Sequence, residues 1–185
     1  QYTLHQKGKN ITIDTYLDPI DSGVVIRDSM AIRIINKIIA VEGTYFKNKC
    51  FVSMVSPKHY FDKGELLSSN WTGYSKLQDE EHCIKLYVNK RLESSGYGWI
   101  KVTEVPKCQS TIPLHKIYIP KSGGSGTDAI ILGTPFYGEP NSVCSYTYLV
   151  IGYNAETHNF SHEECMNIIT YIKSRFFRYL VSIKK

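Results

Sequence analysis

The sequence predicts an α+β fold in which an irregular, mostly antiparallel sheet is flanked by helices. Apolar residues recur at helical spacing in two segments, 29–42 and 162–183, and short β-type segments separated by turns fill the region between them. The chain has 185 residues, of which 42% are apolar and 21% are charged. That length and composition are sufficient for a buried core and are typical of a globular domain.

The first helix is predicted after a turn-rich start. Residues 1–23 are a candidate linker, and the β-branched residues 24–26 predict a short strand after a cluster of turn-forming residues. Asp28 or Ser29 can cap the helix that follows, because their side-chain oxygens accept hydrogen bonds from the first free backbone amides. Apolar side chains then recur every three or four residues as far as Gly43, where the helix is expected to end.

The strands are predicted between the two helices. Each candidate is rich in β-branched or aromatic residues and is bounded by turn residues. The candidates are segments 50–55, 83–88, 97–102, 117–119 and 144–151. Pro120 ends the fourth of these segments, and a glycine-rich stretch follows it.

The last helix begins with a capping-box sequence. Ser161 precedes Glu164 by three residues, so that each side chain can accept a hydrogen bond from the backbone amide of the other. One apolar stripe then extends over about five turns. Its members are Cys165, Ile168, Ile169, Ile172, Phe176, Leu180 and Ile183. From residue 173 onward there are five basic residues and no acidic one, which suits either a solvated helix end or contact with a polyanion.

Charge and cysteine usage narrow the class of protein. Lys and Arg number 22 against 17 Asp and Glu, a net charge of +5 that permits a nucleic-acid partner without requiring one. The five cysteines are widely spaced without a CxxC pair, which indicates neither a disulfide framework nor a zinc ribbon. No apolar run is long enough to span a membrane. We therefore expect a cytoplasmic protein without a membrane partner. Because it starts at Gln1, we expect a piece excised from a longer chain.

Common catalytic motifs are missing from the sequence. The glycine-rich stretch is followed by Thr127 and not by the lysine of a phosphate-binding P-loop, and neither HExxH nor GxSxG occurs. No acidic residue has a lysine two positions later, as many metal-dependent nucleases do. A thiol hydrolase is a remaining alternative, and it requires a cysteine and a histidine within hydrogen-bond reach in a cleft.

The strongest binding candidate is the glycine-rich stretch after the fourth strand segment. Glycines let a backbone approach a phosphate or base closely, and a lysine at the entrance adds charge; a plain surface loop is the alternative. A second candidate is an aromatic strand segment in which a ring for stacking stands beside a lysine. The residues are Lys121, Ser122, Gly123, Gly124 and Ser125 in the stretch, and, as weaker candidates, Trp99 and Lys101 in the strand segment.

Several segments together resemble the C-terminal region of adenine-specific DNA methyltransferases of restriction-modification systems, which include fused type II enzymes. The likeness covers about residues 24–185, in the same order along the chain. The segments that carry it are GYGWI (96–100), VPK (105–107), KIYIPK (116–121), PNSVCSYTYLVIG (140–152) and YIKSRFFRYLV (171–181).

This resemblance implies that residues 1–185 form a DNA target recognition domain, which binds double-stranded DNA and reads its sequence. It adds Asn141 and Ser142 to the expected DNA-contacting residues. The Asn-Pro-Pro-aromatic motif and the Gly-x-Gly pattern for S-adenosylmethionine are absent here, so the family would place both in a methyltransferase domain of the same chain, upstream. We expect no catalysis and no cofactor in this fragment, and whether the parent also cleaves DNA stays open.

An alternative function is specificity or assembly within a multisubunit restriction-modification system, acting mainly by protein–protein contact. The last helix would then pack on a partner subunit. Exposure of Phe177 and Val181 would favour this alternative, whereas a purely polar outer face would argue against it.

Overall fold

The computed structural model describes residues 5–6, 9–10, 29–42, 51–122, 132–153 and 159–182. In chain order the elements are β1 (His5–Gln6), β2 (Lys9–Asn10), α1 (Ser29–Glu42), β3 (Ile84–Tyr87), β4 (Tyr97–Ile100), β5 (Lys116–Pro120), β6 (Phe136–Gly138), β7 (Ser142–Cys144), β8 (Tyr148–Ile151), α2 (His162–Lys173) and α3 (Arg175–Ser182). The predicted α+β class is confirmed.

The chain divides into two compact units, one of residues 1–50 with 175–185 and the other of residues 51–174. In the first unit β1 and β2 form an antiparallel pair, and α1 has the predicted bounds. Ala31 on α1 is fully buried. The predicted strand at 24–26 and most of the candidate linker lie outside the described residues.

The second unit contains two three-stranded sheets where the sequence predicted one. In the first sheet β3 lies between β4 and β7, antiparallel to β4 and parallel to β7. In the second sheet β5 lies between β6 and β8, and both pairs are antiparallel. Neither sheet closes into a barrel within the described residues.

The two sheets share one core. Apolar side chains from β3, β4, β5, β7 and β8 pack together with residues from the loops between them. Tyr118 on β5 is fully buried, and its hydroxyl lies 3.0 Å from Ser142 Oγ at the start of β7, which links the two sheets. On the other side of the second sheet, α2 packs on β5 and β6. It buries Cys165, Ile169 and Ile172, as the apolar stripe predicted.

Three strand predictions need correction. Segment 50–55 is a 3-10 helix at Phe51–Met54 followed by a single bridge from Val55 to β8, because Pro57 has no amide hydrogen with which to extend the ladder. Segment 144–151 is interrupted after β7 by a turn in which the Tyr148 amide donates to the Ser145 carbonyl, since the chain passes there from the first sheet to the second.

The third correction concerns the end of segment 97–102, where the strand stops at Ile100 and a 3-10 helix follows at Val102–Glu104. The short strand β6 was not predicted, because three residues ending in glycine give no measurable alternation.

The predicted helix 162–183 is two helices separated at Ser174. Its backbone is extended there (φ −62°, ψ 149°), and its amide closes a tight last turn by donating to the Tyr171 carbonyl. Serine competes with helical geometry through its own hydrogen bonds, which is consistent with a break at this residue. The capping box is confirmed: the Ser161 amide donates to Glu164 Oε2 at 2.8 Å, and the Glu164 amide donates to Ser161 Oγ at 3.2 Å.

No helix in the described part of the chain combines the length and the apolar character needed to cross a membrane.

Candidate functional site

Lys121 follows β5 and enters the glycine-rich stretch. Its backbone amide donates to the Thr147 carbonyl at 3.0 Å, which holds the chain against the turn before β8. Its ammonium nitrogen lies 3.2 Å from the centre of the Tyr146 ring, is buried, and has no hydrogen-bond partner among the described residues. The ammonium group therefore makes a cation–π contact in place of a hydrogen bond.

His59 covers the other face of the same ring. The His59 and Tyr146 rings are nearly parallel, with centroids 4.4 Å apart and an interplanar angle of 26°. An imidazole and an ammonium group at these distances would overlap if they shared one face, so they must lie on opposite faces. Both faces of Tyr146 are thus occupied.

The fold fixes the His59 ring at the surface. Its backbone is in the left-handed region at φ 60°, an uncommon conformation for a residue with a side chain. Nδ1 lies 2.6 Å from Asp62 Oδ2, and Lys107 Nζ donates to the His59 carbonyl at 3.0 Å. The His59 side chain is 58% exposed, whereas that of Asp62 is only 5% exposed. A buried carboxylate therefore orients an exposed imidazole.

These residues form one electropositive group, which we name the Tyr146 cluster; it consists of Lys58, His59, Asp62, Lys107, Lys121 and Tyr146. Burial lowers the pKa of Lys121, attraction to Asp62 opposes this effect, and repulsion from Lys58 adds to it. Three ammonium groups thus share the cluster with one carboxylate. Such an excess attracts anions.

The rest of the glycine-rich stretch is only partly described. Ser122 is exposed directly after Lys121. Gly123, Gly124 and Ser125 lie outside the described residues.

Asn141 and Ser142 lie at the start of β7 in different environments. Asn141 is exposed with φ 60°; its amide donates to the Ile112 carbonyl at 2.9 Å, and its carbonyl accepts from the Lys85 amide at 3.0 Å. Ser142 is fully buried, and its hydroxyl donates to the Glu139 carbonyl at 2.5 Å. Because this hydroxyl is engaged inside the fold, we leave Ser142 out of the proposed contact surface.

Trp99 and Lys101 belong to the first sheet and its exit, whereas Lys121 follows a strand of the second sheet. Trp99 is half-buried in β4 and contacts the Tyr97 ring edge-to-face at 6.3 Å. Lys101 Nζ forms an ion pair with Glu81, which raises the pKa of Lys101. Its charge is thereby already balanced at the surface.

Sequence reasoning missed four members of the Tyr146 cluster besides Asp62: Lys58, His59, Lys107 and Tyr146. They come from three separate loops, so no local spacing connects them. The one local signal is the pair His59 and Asp62, three residues apart, but the same spacing occurs in an exposed pair, Asp79 and His82.

The buried thiols do not suit a thiol hydrolase. Cys144 and Cys165 are both buried, and burial raises the pKa of Cys165 to about 11 and that of Cys144 further still. Both remain protonated at neutral pH, whereas the nucleophile is the thiolate. Within the described ranges, no three His, Cys, Asp or Glu side chains are grouped so as to hold a metal ion.

The exposure of residues on the last helix, α3, favours neither the DNA-binding function nor the assembly alternative. Every residue from Phe176 to Ser182 is half-buried, including Phe177 and Val181. The outer face is neither purely polar nor openly apolar.

Comparisons of the chain with protein-family models, curated proteins and solved structures give no match.

Proposed function

We propose that this chain is a double-stranded DNA recognition module, the target recognition domain of an adenine-specific DNA methyltransferase or fused restriction-modification enzyme. The observation that carries the proposal is the Tyr146 cluster, in which three lysines and two stacked rings meet at the entrance of the glycine-rich stretch. The sequence resemblance over residues 24–185 supports the same function.

In this proposal the lysines bind phosphates and the loops read bases. Lys58 and Lys107 neutralise backbone phosphates, which releases counterions and makes the affinity fall with salt. Lys121 anchors the glycine-rich stretch, whose small residues allow close approach to the duplex. Asn141 presents an exposed amide from a fixed backbone, and such an amide can pair with the major-groove edge of adenine.

Methyl transfer belongs to another domain in this proposal. The methyltransferase domain of the same chain would bind S-adenosylmethionine and the target adenine, and the protein would act in the cytoplasm. The fragment binds the flanking duplex, and this binding free energy helps to offset the few kcal/mol that extrusion of a base costs.

The proposal is tested by removing cluster lysines one at a time. Lys121→Ala, Lys58→Ala and Lys107→Ala should each weaken binding to duplexes of every sequence alike. For each lost phosphate contact, the slope of log affinity against log salt should fall by about 1. Fluorescence anisotropy with labelled duplexes at several salt concentrations measures both quantities.

Lys76→Ala is the matched control, because it removes the same charge from an exposed lysine whose nearest carboxylate is Glu93 at 3.5 Å. It should leave the affinity within about twofold of wild type. Unchanged affinity of all three cluster variants at low salt would contradict the proposal and favour the assembly function.

A further inference from the structure

The stack at the Tyr146 cluster ends in an open aromatic face. One face of Tyr146 carries the Lys121 ammonium group and the other carries the His59 ring. Tyr146 is the only ring that contacts His59 among the described residues. The outer face of the imidazole is therefore the next surface on which a flat group can stack.

Contacts within the fold hold this ring in place. The left-handed backbone and the bond from Lys107 to the carbonyl position the residue, and the 2.6 Å contact with Asp62 orients the ring. Left-handed geometry at a residue with a side chain costs of order 1 kcal/mol, and such strain persists where the surroundings enforce it, often at binding sites. A ring that is already fixed loses little conformational entropy when a second ring stacks on it.

The surroundings of the ring match a nucleotide better than an apolar group. Lys58 is the adjacent, exposed residue, and the Lys107 ammonium group bonds to the His59 carbonyl, so two lysines belong to the same surface region as the ring. A base stacked on the imidazole would bring its own phosphates toward these lysines. Stacking on aromatic side chains, with lysines along the backbone, is how proteins hold unpaired nucleotides.

We propose that the outer face of His59 binds an unpaired DNA base by stacking, while Lys58 and Lys107 hold the adjoining phosphates. A base inside an intact duplex has both faces covered by its neighbours, so the ligand is a base out of the stack, in a bulge, a gap or an extruded position. This inference rests on the proposed function, because it specifies which feature of DNA the same cluster engages.

The test compares a perfect duplex with a duplex of the same sequence that carries one unpaired 2-aminopurine. Wild-type protein should bind the second duplex about tenfold more tightly, since stacking on an aromatic side chain is worth about that factor. It should also quench the fluorescence of the unpaired 2-aminopurine. His59→Asn, which tolerates positive φ but has no ring, should lose both the preference and the quenching.

Two further variants keep the test decisive. His82→Asn is the matched control, because His82 Nδ1 also contacts an aspartate three residues away, Asp79, at 2.9 Å, and it should behave like wild type. His59→Phe keeps a ring without the bond to Asp62 and should keep the preference. If His59→Asn does not fold, the inference is overturned when wild type shows no preference for the unpaired base or when His59→Phe loses that preference.

The outcomes separate this inference from the proposed function. Salt-dependent binding of the perfect duplex without any gain from the unpaired base overturns the inference and leaves the proposed function intact. Binding of the unpaired base that depends on His59, without binding of the perfect duplex, supports the inference and overturns the duplex-recognition function. Retention of the preference in His59→Asn also overturns the inference.

Discussion

Lys85 and Lys121 both lie over tyrosine rings, but their charges are balanced differently. Lys85 Nζ lies 4.5 Å from the centre of the Tyr97 ring and 2.8 Å from Glu139 Oε1. The Tyr87 hydroxyl donates to the other carboxylate oxygen at 2.6 Å. The Lys121 ammonium group lies over the Tyr146 ring and has no hydrogen-bond partner among the described residues. A lysine over an aromatic ring is thus bonded to a carboxylate in the first case and lacks a hydrogen-bond partner in the second.

Lys116 is a second lysine whose ammonium group is hydrogen-bonded within the fold, as that of Lys85 is. It is almost fully buried, and its ammonium group donates to the carbonyls of Ile112, Leu114 and Glu139 at 3.1, 2.6 and 3.4 Å. We name Lys85, Tyr87, Lys116 and Glu139 the Glu139 network. Its hydrogen bonds are made within the fold, so we expect variants there to change stability, whereas variants in the Tyr146 cluster should change binding.

The largest effect is expected from Lys116→Met. Methionine fills a similar volume but leaves three carbonyls without their donor, and buried acceptors without partners cost about 2 kcal/mol or more. Urea denaturation followed by circular dichroism should show a decrease of that size in the free energy of unfolding. Lys76→Met, at an exposed position, should change it by less than about 0.5 kcal/mol. Equal midpoints for the two variants would show that the carbonyls find other donors.

The same lysine predicts a dependence of stability on pH. Burial lowers the pKa of Lys116 to about 8, whereas an unfolded lysine titrates near 10.4. Between these values the unfolded chain binds more protons, so the contribution of this group to stability is smallest below pH 8 and rises toward pH 10.4. From pH 7 to pH 9, the free energy of unfolding of the wild type should increase by about 1 kcal/mol relative to Lys116→Met. A constant difference between the two proteins would refute this expectation.

Lys85→Met and Lys121→Met compare the two regions directly. Loss of the bond to Glu139 should lower the free energy of unfolding by about 1 kcal/mol, a value reduced by partial exposure of the pair. Lys121→Met should stay within about 0.5 kcal/mol of wild type, because the lost cation–π attraction is offset by the removal of a desolvated charge. Chemical denaturation of the two variants measures the difference, and the reverse order of stabilities would invalidate the distinction between the regions.

The smallest stability effect is expected from Asn141→Gly. Glycine adopts φ 60° without strain, so the free energy of unfolding should change by about 0.5 kcal/mol or less. The DNA affinity should fall if the amide reads a base, which anisotropy with cognate and altered duplexes would detect. A clear loss of stability would instead assign the Asn141 side chain to the fold.

Sequence patterns predicted those helices, strands and caps that are determined by residues close together in the chain. The bounds of α1, the capping box at Ser161 and the strand at 117–119 follow from spacing and hydrogen bonds within a few residues. The division into two sheets could not be predicted, because it depends on pairing between segments far apart in the chain, such as β3 with β7. The break at Ser174 was not predicted, because the apolar stripe continues without interruption across that residue.

The candidate site was predictable only in part. Lys121 stood out because it enters the glycine-rich stretch, but its contact with Tyr146 depends on a turn that sequence reasoning had taken for continuous strand. Asn141 and Ser142 are neighbours in the sequence, but Asn141 is exposed whereas Ser142 is buried. All three residues of β7 are buried, because the strand lies in the shared core, and a single sequence does not reveal that placement.

The parallel pairing of β3 with β7 makes the first sheet late to complete during synthesis. Ser142–Cys144 must leave the ribosome before Ile84–Tyr87 can gain its second neighbour, and by then β5 and β6 are already available to each other. Until that moment the backbone amides and carbonyls along one edge of β3 are unpaired. An unpaired strand edge promotes aggregation with other chains. Nascent chains that end before residue 142 should therefore be the ones most prone to aggregate.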